Sequence, residues 1–399
     1  MMKIEVNIIK KDMKTISSEK KCLKDCLTLF SKSPGLYGET IEVNFKRFNE
    51  QEIILTGENL KEVKVFATKN QFLCASECSK LNDCNTAMLK DSKATFVGHS
   101  SDVTSLAVLQ NGDLASGSWD KKIKIWNTSD GTLKMNLCDH SGAVYSLAVL
   151  QNGDLASGSR DNSTKIWNTT DGSEKMNLNY HSSWVNSLAV LQNGDLASGS
   201  RDNSTKIWNT TDGSEKMNLN YHSSWVNSLA VLQNGDLASG FADTTIKIWN
   251  PKSETLKMNL CDHSDQVVSL IVLQNGDLAS GSWDHKIKIW NTSDGTLKMN
   301  LCGHSFAVLS LAVLQNGDLA SGSADNTIKI WNTIDGTEKM ALNGHSAVVL
   351  SLAVLQNGDL ASGSADNTIK IWNFKISLKF LDILLESNIS SNFFWAALE

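Results

Sequence analysis

The side chains best suited to chemistry in this 399-residue chain are histidines that recur at a constant spacing. Seven of them stand 41 residues apart, and a serine and an aspartate follow each one at fixed distances, as Ser116 and Asp120 follow His99. These three residue types are the components of a catalytic triad. A catalytic set is needed once, whereas this set recurs in every repeat, so the pattern favours a structural role. The histidines are His99, His140, His181, His222, His263, His304 and His345.

Other catalytic and ligand-binding motifs are missing from the sequence. Histidine, cysteine and aspartate do not cluster at the spacing of a metal site, and the glycines lie in turns rather than in a phosphate-binding loop. His285, the one histidine outside the period, is expected in a surface loop. We therefore predict that the protein is not an enzyme and that it uses no cofactor and no metal.

The elements that must position the repeated residues are short strands joined by tight turns. In the first repeat, residues 103–109 form a β-branched and aliphatic run that ends at Asn111 and Gly112. Asn-Gly between apolar runs is the strongest short hairpin signal, because both residues tolerate the positive φ of a type I′ turn. Residues 114–118 return, residues 123–127 alternate apolar and polar positions, and a fourth strand follows. Four strands in a period of 41 residues are typical of a propeller blade.

Stacking of the repeats predicts the architecture. One such sheet cannot bury both of its faces, and radial stacking against its neighbours covers them. The sequence therefore predicts an all-β fold, a seven-bladed β-propeller of four-stranded antiparallel blades at residues 92–383. A small α+β region at residues 1–90 precedes it, and a tail at residues 384–399 follows. The run at residues 93–96 stands where a fourth strand would lie, so we expect it to pair with the last blade; the tail is the alternative.

At this point the residues resemble a known family. The order His, Ser, Asp, Trp, read with the run LASGSWDKKIKIWN, resembles the WD-repeat β-propeller over about 285 residues and seven units. The resemblance implies that these four side chains form a hydrogen-bonded tetrad in each blade, in which buried polar groups satisfy one another. Three of the implied tetrads are His99, Ser116, Asp120 and Trp126; His181, Ser198, Asp202 and Trp208; and His345, Ser362, Asp366 and Trp372.

The positions that vary between otherwise nearly identical repeats indicate a functional surface. Variation concentrates around the first strand and at the residue before the tetrad aspartate. In WD-repeat propellers these positions lie on one rim of the disc, and Trp, Tyr and Arg dominate the energetics of interfaces. The alternative is drift at tolerant positions. The candidate partner-binding residues are Trp119, Tyr145, Arg160, Trp184, Asn186, Arg201, Trp225, Asn227 and Trp283.

An internal duplication limits how these residues are counted. Residues 146–199 are identical to residues 187–240, a run of 54 residues displaced by one repeat. A structure rarely demands so much identity, so recent tandem duplication or an artefact of sequence assembly is indicated. Trp184 and Trp225 are therefore one feature that was copied.

The N-terminal region does not share the period. Residues 39–45 and 62–66 alternate like strands, and residues 71–84 read as a short helix. The spacing of Cys74, Cys78 and Cys84 within residues 40–93 resembles the PAN/apple module, a small disulfide-bonded binding domain of secreted proteins. The alternative is a cytosolic α+β segment with free thiols, because sequence alone does not give cysteine connectivity.

Charge and hydropathy restrict the partners. Residues 1–97 hold 16 Lys+Arg against 13 Asp+Glu, whereas the remainder holds 21 against 30. An acidic ring is a poor match for phosphate backbones, so no nucleic-acid partner is expected. No apolar run approaches the roughly 18 residues of a membrane span. The first residues do not form a secretory signal, which favours the cytoplasm, or the extracellular space if the true N-terminus is missing.

Together these observations predict a non-enzymatic scaffold that binds a protein or peptide on the aromatic and arginine-bearing rim of the propeller. The alternative is an extracellular adhesion or carbohydrate-binding protein that uses the PAN-like module. The oxidation state of Cys74, Cys78 and Cys84 would separate the two. The sequence leaves the oligomeric state and the identity of the partner open.

Overall fold

The computed structural model describes residues 92–219 and 224–373, and the backbone of four short strands nearer the N-terminus. The chain divides into two compact units. One comprises Leu89–Lys375, and the other comprises Met1–Met88 together with Ile376–Glu399. The described residues include no helix that is long and apolar enough to cross a membrane.

In the unit that contains Met1–Met88, the described part is a four-stranded sheet. Strand β1 runs parallel to β2, and β2, β3 and β4 follow one another in antiparallel order. The strands predicted at residues 39–45 and 62–66 overlap β2 and β4. The predicted helix and the cysteines that carry the PAN/apple resemblance lie outside the described residues. The strands are β1 (Val6–Asn7), β2 (Val43–Phe48), β3 (Glu52–Gly57) and β4 (Leu60–Phe66).

The unit Leu89–Lys375 contains seven four-stranded antiparallel sheets, each corresponding to one repeat. The first strands of the seven blades are β6 (Val103–Val108), β10 (Val144–Val149), β14 (Val185–Val190), β18 (Val226–Val231), β22 (Val267–Val272), β26 (Val308–Val313) and β30 (Val349–Val354). The second strands are β7 (Leu114–Ser118), β11 (Leu155–Ser159), β15 (Leu196–Ser200), β19 (Leu237–Phe241), β23 (Leu278–Ser282), β27 (Leu319–Ser323) and β31 (Leu360–Ser364).

The outer strands complete each sheet. The third strands are β8 (Ile123–Trp126), β12 (Thr164–Trp167), β16 (Thr205–Trp208), β20 (Ile246–Asn250), β24 (Lys286–Trp290), β28 (Thr327–Trp331) and β32 (Thr368–Trp372). The fourth strands of blades 1 to 6 are β9 (Leu133–Leu137), β13 (Glu174–Leu178), β17 (Glu215–Leu219), β21 (Thr255–Leu260), β25 (Leu297–Cys302) and β29 (Glu338–Asn343), and that of blade 7 is β5 (Ala94–Val97). The first strands contact one another in a closed circle, which confirms the predicted seven-bladed β-propeller.

The ring is closed by a strand from the start of the unit. Strand β5 pairs antiparallel with β32, so blade 7 contains strands from both ends of the propeller. Phe96 is buried in this strand and packs against Trp126 of blade 1, with ring centroids 5.7 Å apart. This pairing confirms the closure predicted from residues 93–96. Residues 374–399, which supplied the alternative, lie outside the described residues.

Seven hydrophobic clusters are found in the described propeller, and each is shared by two adjacent blades. Close packing at these interfaces explains the glycine of each second strand. A Cβ on Gly117 would lie 2.7 Å from Cγ1 of Val144 in the next blade, which is too close for any side chain. Each buried aliphatic or aromatic side chain stabilises the fold by roughly 1.5–3 kcal/mol. The blades are therefore stable because they stack, as predicted from their two-sided apolar pattern.

The turn between the first and second strands differs from the prediction. Gly112 has a φ of 85°, whereas Asn111 is not among the residues with positive φ, so the type I′ assignment is wrong. The N–H of Gly112 donates to the carbonyl of Leu109, and the N–H of Leu109 donates to the carbonyl of Asp113. These bonds define a three-residue loop that ends in a left-handed glycine. The Asn111 side chain accepts from the N–H of Asp113, which explains why asparagine remains suitable there.

Candidate functional site: the variable rim and the tetrads that hold it

The four side chains of each predicted tetrad meet in the structure. In blade 1, Nδ1 of His99 donates to Asp120 at 2.8 Å, and Nε2 accepts from the hydroxyl of Ser116 at 2.7 Å. The indole N–H of Trp126 donates to the same serine oxygen at 2.8 Å. The same three bonds, at 2.7–2.8 Å, occur in blades 2, 3, 5, 6 and 7. In blade 4, His222 lies outside the described residues, and Trp249 donates to Ser239 at 3.0 Å.

The tetrads are arranged for structure rather than for catalysis. Ser116, Ser198 and Ser362 have no exposed surface, and their hydroxyl oxygens are occupied by both an imidazole and an indole. A serine nucleophile must reach a substrate carbonyl, which this burial prevents. Among the described residues, no group of three or more His, Cys, Asp and Glu side chains is placed to hold a metal ion.

Electrostatics favours the ionised aspartate of each tetrad. Burial acts to raise the pKa of Asp120, but the hydrogen bond and charge of His99, with two backbone N–H donors, lower it to about 2. The pKa of Asp284 is likewise about 2. Burial lowers the pKa of the His345 imidazole, although its hydrogen bond to Asp366 acts to raise it, and this keeps the ring neutral. The tetrad of blade 7 is thus a neutral imidazole clamped by a carboxylate.

The turn that carries each tetrad aspartate also positions the variable residues. The residue before the aspartate donates its backbone N–H to the residue that precedes the first strand, as Arg201 donates to the carbonyl of Trp184 at 2.9 Å. Trp119 and Arg160 make the equivalent bonds in their own blades. The two variable positions therefore lie side by side at one end of the first hairpin. We call the nine predicted residues the variable rim: Trp119, Tyr145, Arg160, Trp184, Asn186, Arg201, Trp225, Asn227 and Trp283.

Aromatic and arginine side chains of the variable rim form one continuous chain of contacts across blades 1 to 4. Trp119 packs edge-on against Tyr145 with centroids 6.3 Å apart, and Tyr145 stacks on Trp184 at 5.7 Å. The guanidinium of Arg160 lies 4.2 Å from the Trp184 ring centroid. The guanidinium of Arg201 lies 3.9 Å from Trp184 and 4.7 Å from Trp225. Such contacts between cations and aromatic faces each contribute about 0.5–2 kcal/mol.

Two asparagines of the variable rim connect neighbouring blades. Nε of Arg201 donates to Oδ1 of Asn186 at 3.4 Å, and Asn186 donates to the carbonyl of Val226 in the next blade at 3.0 Å. Asn227 donates in the same manner to the carbonyl of Val267 at 3.3 Å. These bonds fix the base of the aromatic chain.

Trp283 stands apart from the other eight residues of the variable rim. It is 50% exposed and lies in blade 5. Among the described residues, its ring makes no aromatic or guanidinium contact with the aromatic chain. Near it in sequence, the exposed His285 packs against Phe306 of blade 6, with ring centroids 5.9 Å apart. Sequence reasoning assigned His285 to a surface loop and did not include Phe306 among the site residues. The signal was available, because both residues are unique in their repeat columns.

The opposite end of each first hairpin is uniform. The amide N–H of each turn glutamine donates to the backbone carbonyl of the corresponding glutamine in the next blade, at 2.8–3.3 Å. The bond from Gln356 to Gln110 completes the circle. We call these seven residues the glutamine rim: Gln110, Gln151, Gln192, Gln233, Gln274, Gln315 and Gln356.

Comparisons with known proteins agree with a seven-bladed propeller of this kind. The family model described as the WD domain, G-beta repeat, matches residues 90–127, 130–168, 172–209, 213–250, 254–291, 295–332 and 336–373. The chain therefore belongs to the WD40 repeat family, as its motifs predicted. Propellers of this family are typically protein-interaction scaffolds and generally non-catalytic.

One solved structure shows how far the likeness extends. The crystal structure of the WD40 β-propeller domain of Doa1 is similar, with a TM-score of 0.66 and 28% sequence identity. The match covers 72% of this chain and 97% of that chain. A sequence search of curated proteins finds no match.

Proposed function

We propose that this protein is a non-enzymatic scaffold that binds a protein or peptide segment on the variable rim. The observation that carries the proposal is the aromatic chain from Trp119 to Trp225. Both of these end residues are more than 40% exposed, although tryptophan is usually well buried. Interfaces draw most of their binding energy from a few Trp, Tyr and Arg side chains, and all three types occur here.

The rigidity of the chain supports the same function. Tyr145 and Trp184 are half-buried and stacked, and Arg201 is held between two indoles and an asparagine. Side chains that are ordered before binding lose little conformational entropy when a partner docks. The variable rim therefore offers aromatic surface at a low entropic cost.

The test is selection of peptides from a random display library on the immobilised full chain, followed by affinity measurement on variants. We expect Trp184→Ala/Trp225→Ala to weaken binding of the selected peptides at least tenfold, because an anchoring Trp contributes about 2 kcal/mol or more. The control is Val348→Ala/Leu350→Ala, which changes blade 7 at the repeat positions of Trp184 and Asn186 and should alter affinity little.

Melting temperatures of both variants show whether the fold is intact. Neither tryptophan belongs to a tetrad, so we expect the variant to remain folded, with a fall in melting temperature that reflects only the lost ring and guanidinium contacts. Peptides that bind the tryptophan variant as tightly as the wild type would place the binding surface elsewhere on the protein.

A further inference from the structure

The two arginines of the propeller are concentrated at one site, whereas its lysines are spread over all blades. The chain has three arginines, and the two in the propeller, Arg160 and Arg201, occupy the same repeat position. Both guanidinium groups lie within 4.2 Å of the centroid of one ring, that of Trp184. The repeat places one arginine in each of two neighbouring blades, and the fold brings both to a single indole.

These two cations have no anionic partner in the described propeller. Every ion pair described at residues 92–219 and 224–373 is made by a lysine or a histidine. Lys175 and Lys216, for example, pair with Asp154 and Asp195 in the same two blades. Because the acidic side chains of these ion pairs are matched with lysines and histidines, the guanidinium groups of Arg160 and Arg201 remain available to an anionic ligand.

The pair is also electrostatically unfavourable as it stands. Burial lowers the pKa of Arg201, and the positive charge of Arg160 acts in the same direction. Two like charges beside one indole repel each other, and partial burial weakens screening by solvent. An anion that contacts both guanidinium groups would relieve the repulsion and compensate for the lost solvation.

The donors that such an anion needs are present. A guanidinium stacked on an aromatic face keeps its N–H groups in its own plane, where they point past the ring edge. Arg201 uses Nε toward Asn186, which leaves its two terminal nitrogens, and Arg160 is exposed. Paired N–H donors of this kind bind a carboxylate or a phosphate in bidentate geometry.

We propose that the partner segment bound on the variable rim is an acidic peptide, whose anionic side chain contacts the guanidinium groups of Arg160 and Arg201 while its neighbouring apolar residues cover Trp184 and Trp225. This inference rests on the proposed function and adds the chemical class of the ligand. Carboxylate and phosphate share the required chemistry, and the test below separates them.

The experiment uses the same random peptide library on the full chain. We expect the retained peptides to be enriched in Asp and Glu over the starting library. For one such synthetic peptide, Arg160→Gln/Arg201→Gln should weaken binding at least tenfold, since removing one side of a desolvated charge pair is costly. Binding should also weaken as sodium chloride rises from 50 to 500 mM, values chosen to shorten the Debye length from roughly 14 to 4 Å.

Matched variants separate the stacked arginines from positive charge in general. Lys122→Gln/Lys286→Gln removes two exposed lysines that follow tetrad aspartates in blades 1 and 5, and we expect it to change affinity less than twofold. Arg160→Lys/Arg201→Lys should keep part of the affinity, because the charge remains while the planar fork is lost. Peptides carrying Glu, Gln or phosphoserine at the acidic position then show whether carboxylate or phosphate is preferred.

The outcomes distinguish the two proposals. If peptides require Trp184 and Trp225 but bind the arginine-to-glutamine variant as well as the wild type, the acidic-ligand inference is overturned and the binding surface stands. A retained pool no richer in acidic residues than the library, or no retained peptide, also overturns the inference. If the tryptophan variant retains full binding, the surface itself is refuted.

Discussion

The two ends of the first hairpins show how one repeat serves two purposes. On the glutamine rim, seven identical side chains form a closed circle of hydrogen bonds from blade to blade. On the variable rim, blades 1 to 4 carry a chain of aromatic and arginine side chains, whereas Ala324 and Ala365 occupy the arginine position in blades 6 and 7. Uniformity is expected where every blade must fit its neighbour, and asymmetry where a partner lacks sevenfold symmetry.

The glutamine rim tolerates little change because each glutamine packs over a turn of the next blade. A Cβ on Gly112 would lie 3.0 Å from Oε1 of Gln356, at a residue whose φ of 85° already disfavours side chains. Arg160, by contrast, is exposed and contacts an indole, so its replacement leaves the framework in place. Changes to the framework should therefore lower stability, and changes to the variable rim should lower binding.

The largest effect is expected from opening the ring. Deleting residues 1–97 removes β5, its ladder with β32 and the burial of Phe96 against Trp126. We expect a large fall in melting temperature, since Phe96→Ala alone should cost about 3–5 kcal/mol. Deleting residues 1–88 is the matched control, because it ends before the propeller unit begins. Equal melting of the two truncations would mean that another segment can close the ring.

Acid should weaken the tetrads of blades 1, 2, 3, 5, 6 and 7 together, and this loss of stability comes next in size. The pKa values of Asp120 and Asp284 fall from 3.8 to about 2 on folding. The unfolded chain thus binds more protons between these values, so the free energy of unfolding falls as pH drops through this range. The lowered pKa of His345 adds a loss that begins below pH 6.5. Denaturant titrations at pH 7, 5 and 3 measure the loss; equal midpoints would contradict the tetrad electrostatics.

Disrupting a single tetrad should lower the free energy of unfolding least among these three changes. Asp202 accepts from His181, from the backbone N–H of Ser182 and from Ser204. Asp202→Ala leaves these donors unmatched, and we expect a loss of about 1–3 kcal/mol in chemical denaturation. Asp161→Ala should cost the same, because the equivalent tetrad of blade 2 has the same partners.

Asp171→Ala is the control for that measurement. This turn carboxylate also accepts from a backbone N–H and a hydroxyl, both of Ser173, but it is exposed to solvent. Water can replace its bonds, so its loss should be clearly smaller. Similar losses for Asp171 and Asp202 would show that burial of the tetrad contributes little. Asp171→Ala should also leave peptide binding on the variable rim unchanged, because Asp171 lies in a different turn from the rim residues.

Much of the fold could be predicted because its signals are local and repeated seven times. Strand lengths, the closing strand and the tetrad spacing all follow from residues within one period. The type I′ assignment failed because a dipeptide rule ignores the third loop residue and the pairing beyond it, which fix Asn111 away from positive φ. Phe306 is unique in its repeat column, but its contact with His285 crosses a blade boundary and could not be predicted from one period.

By itself, the sequence determined the repeat, the number of blades and which positions vary, since periodicity and side-chain type are properties of the chain. Only the tertiary structure decided that Arg160 and Arg201 meet at Trp184 and that Trp283 stands apart. It also decided that Gln356 and Gln110, distant in sequence, complete one circle of bonds. The physical reason is the same in each case. These contacts join different blades, and the distance between two blades is set by how their sheets stack rather than by any local pattern.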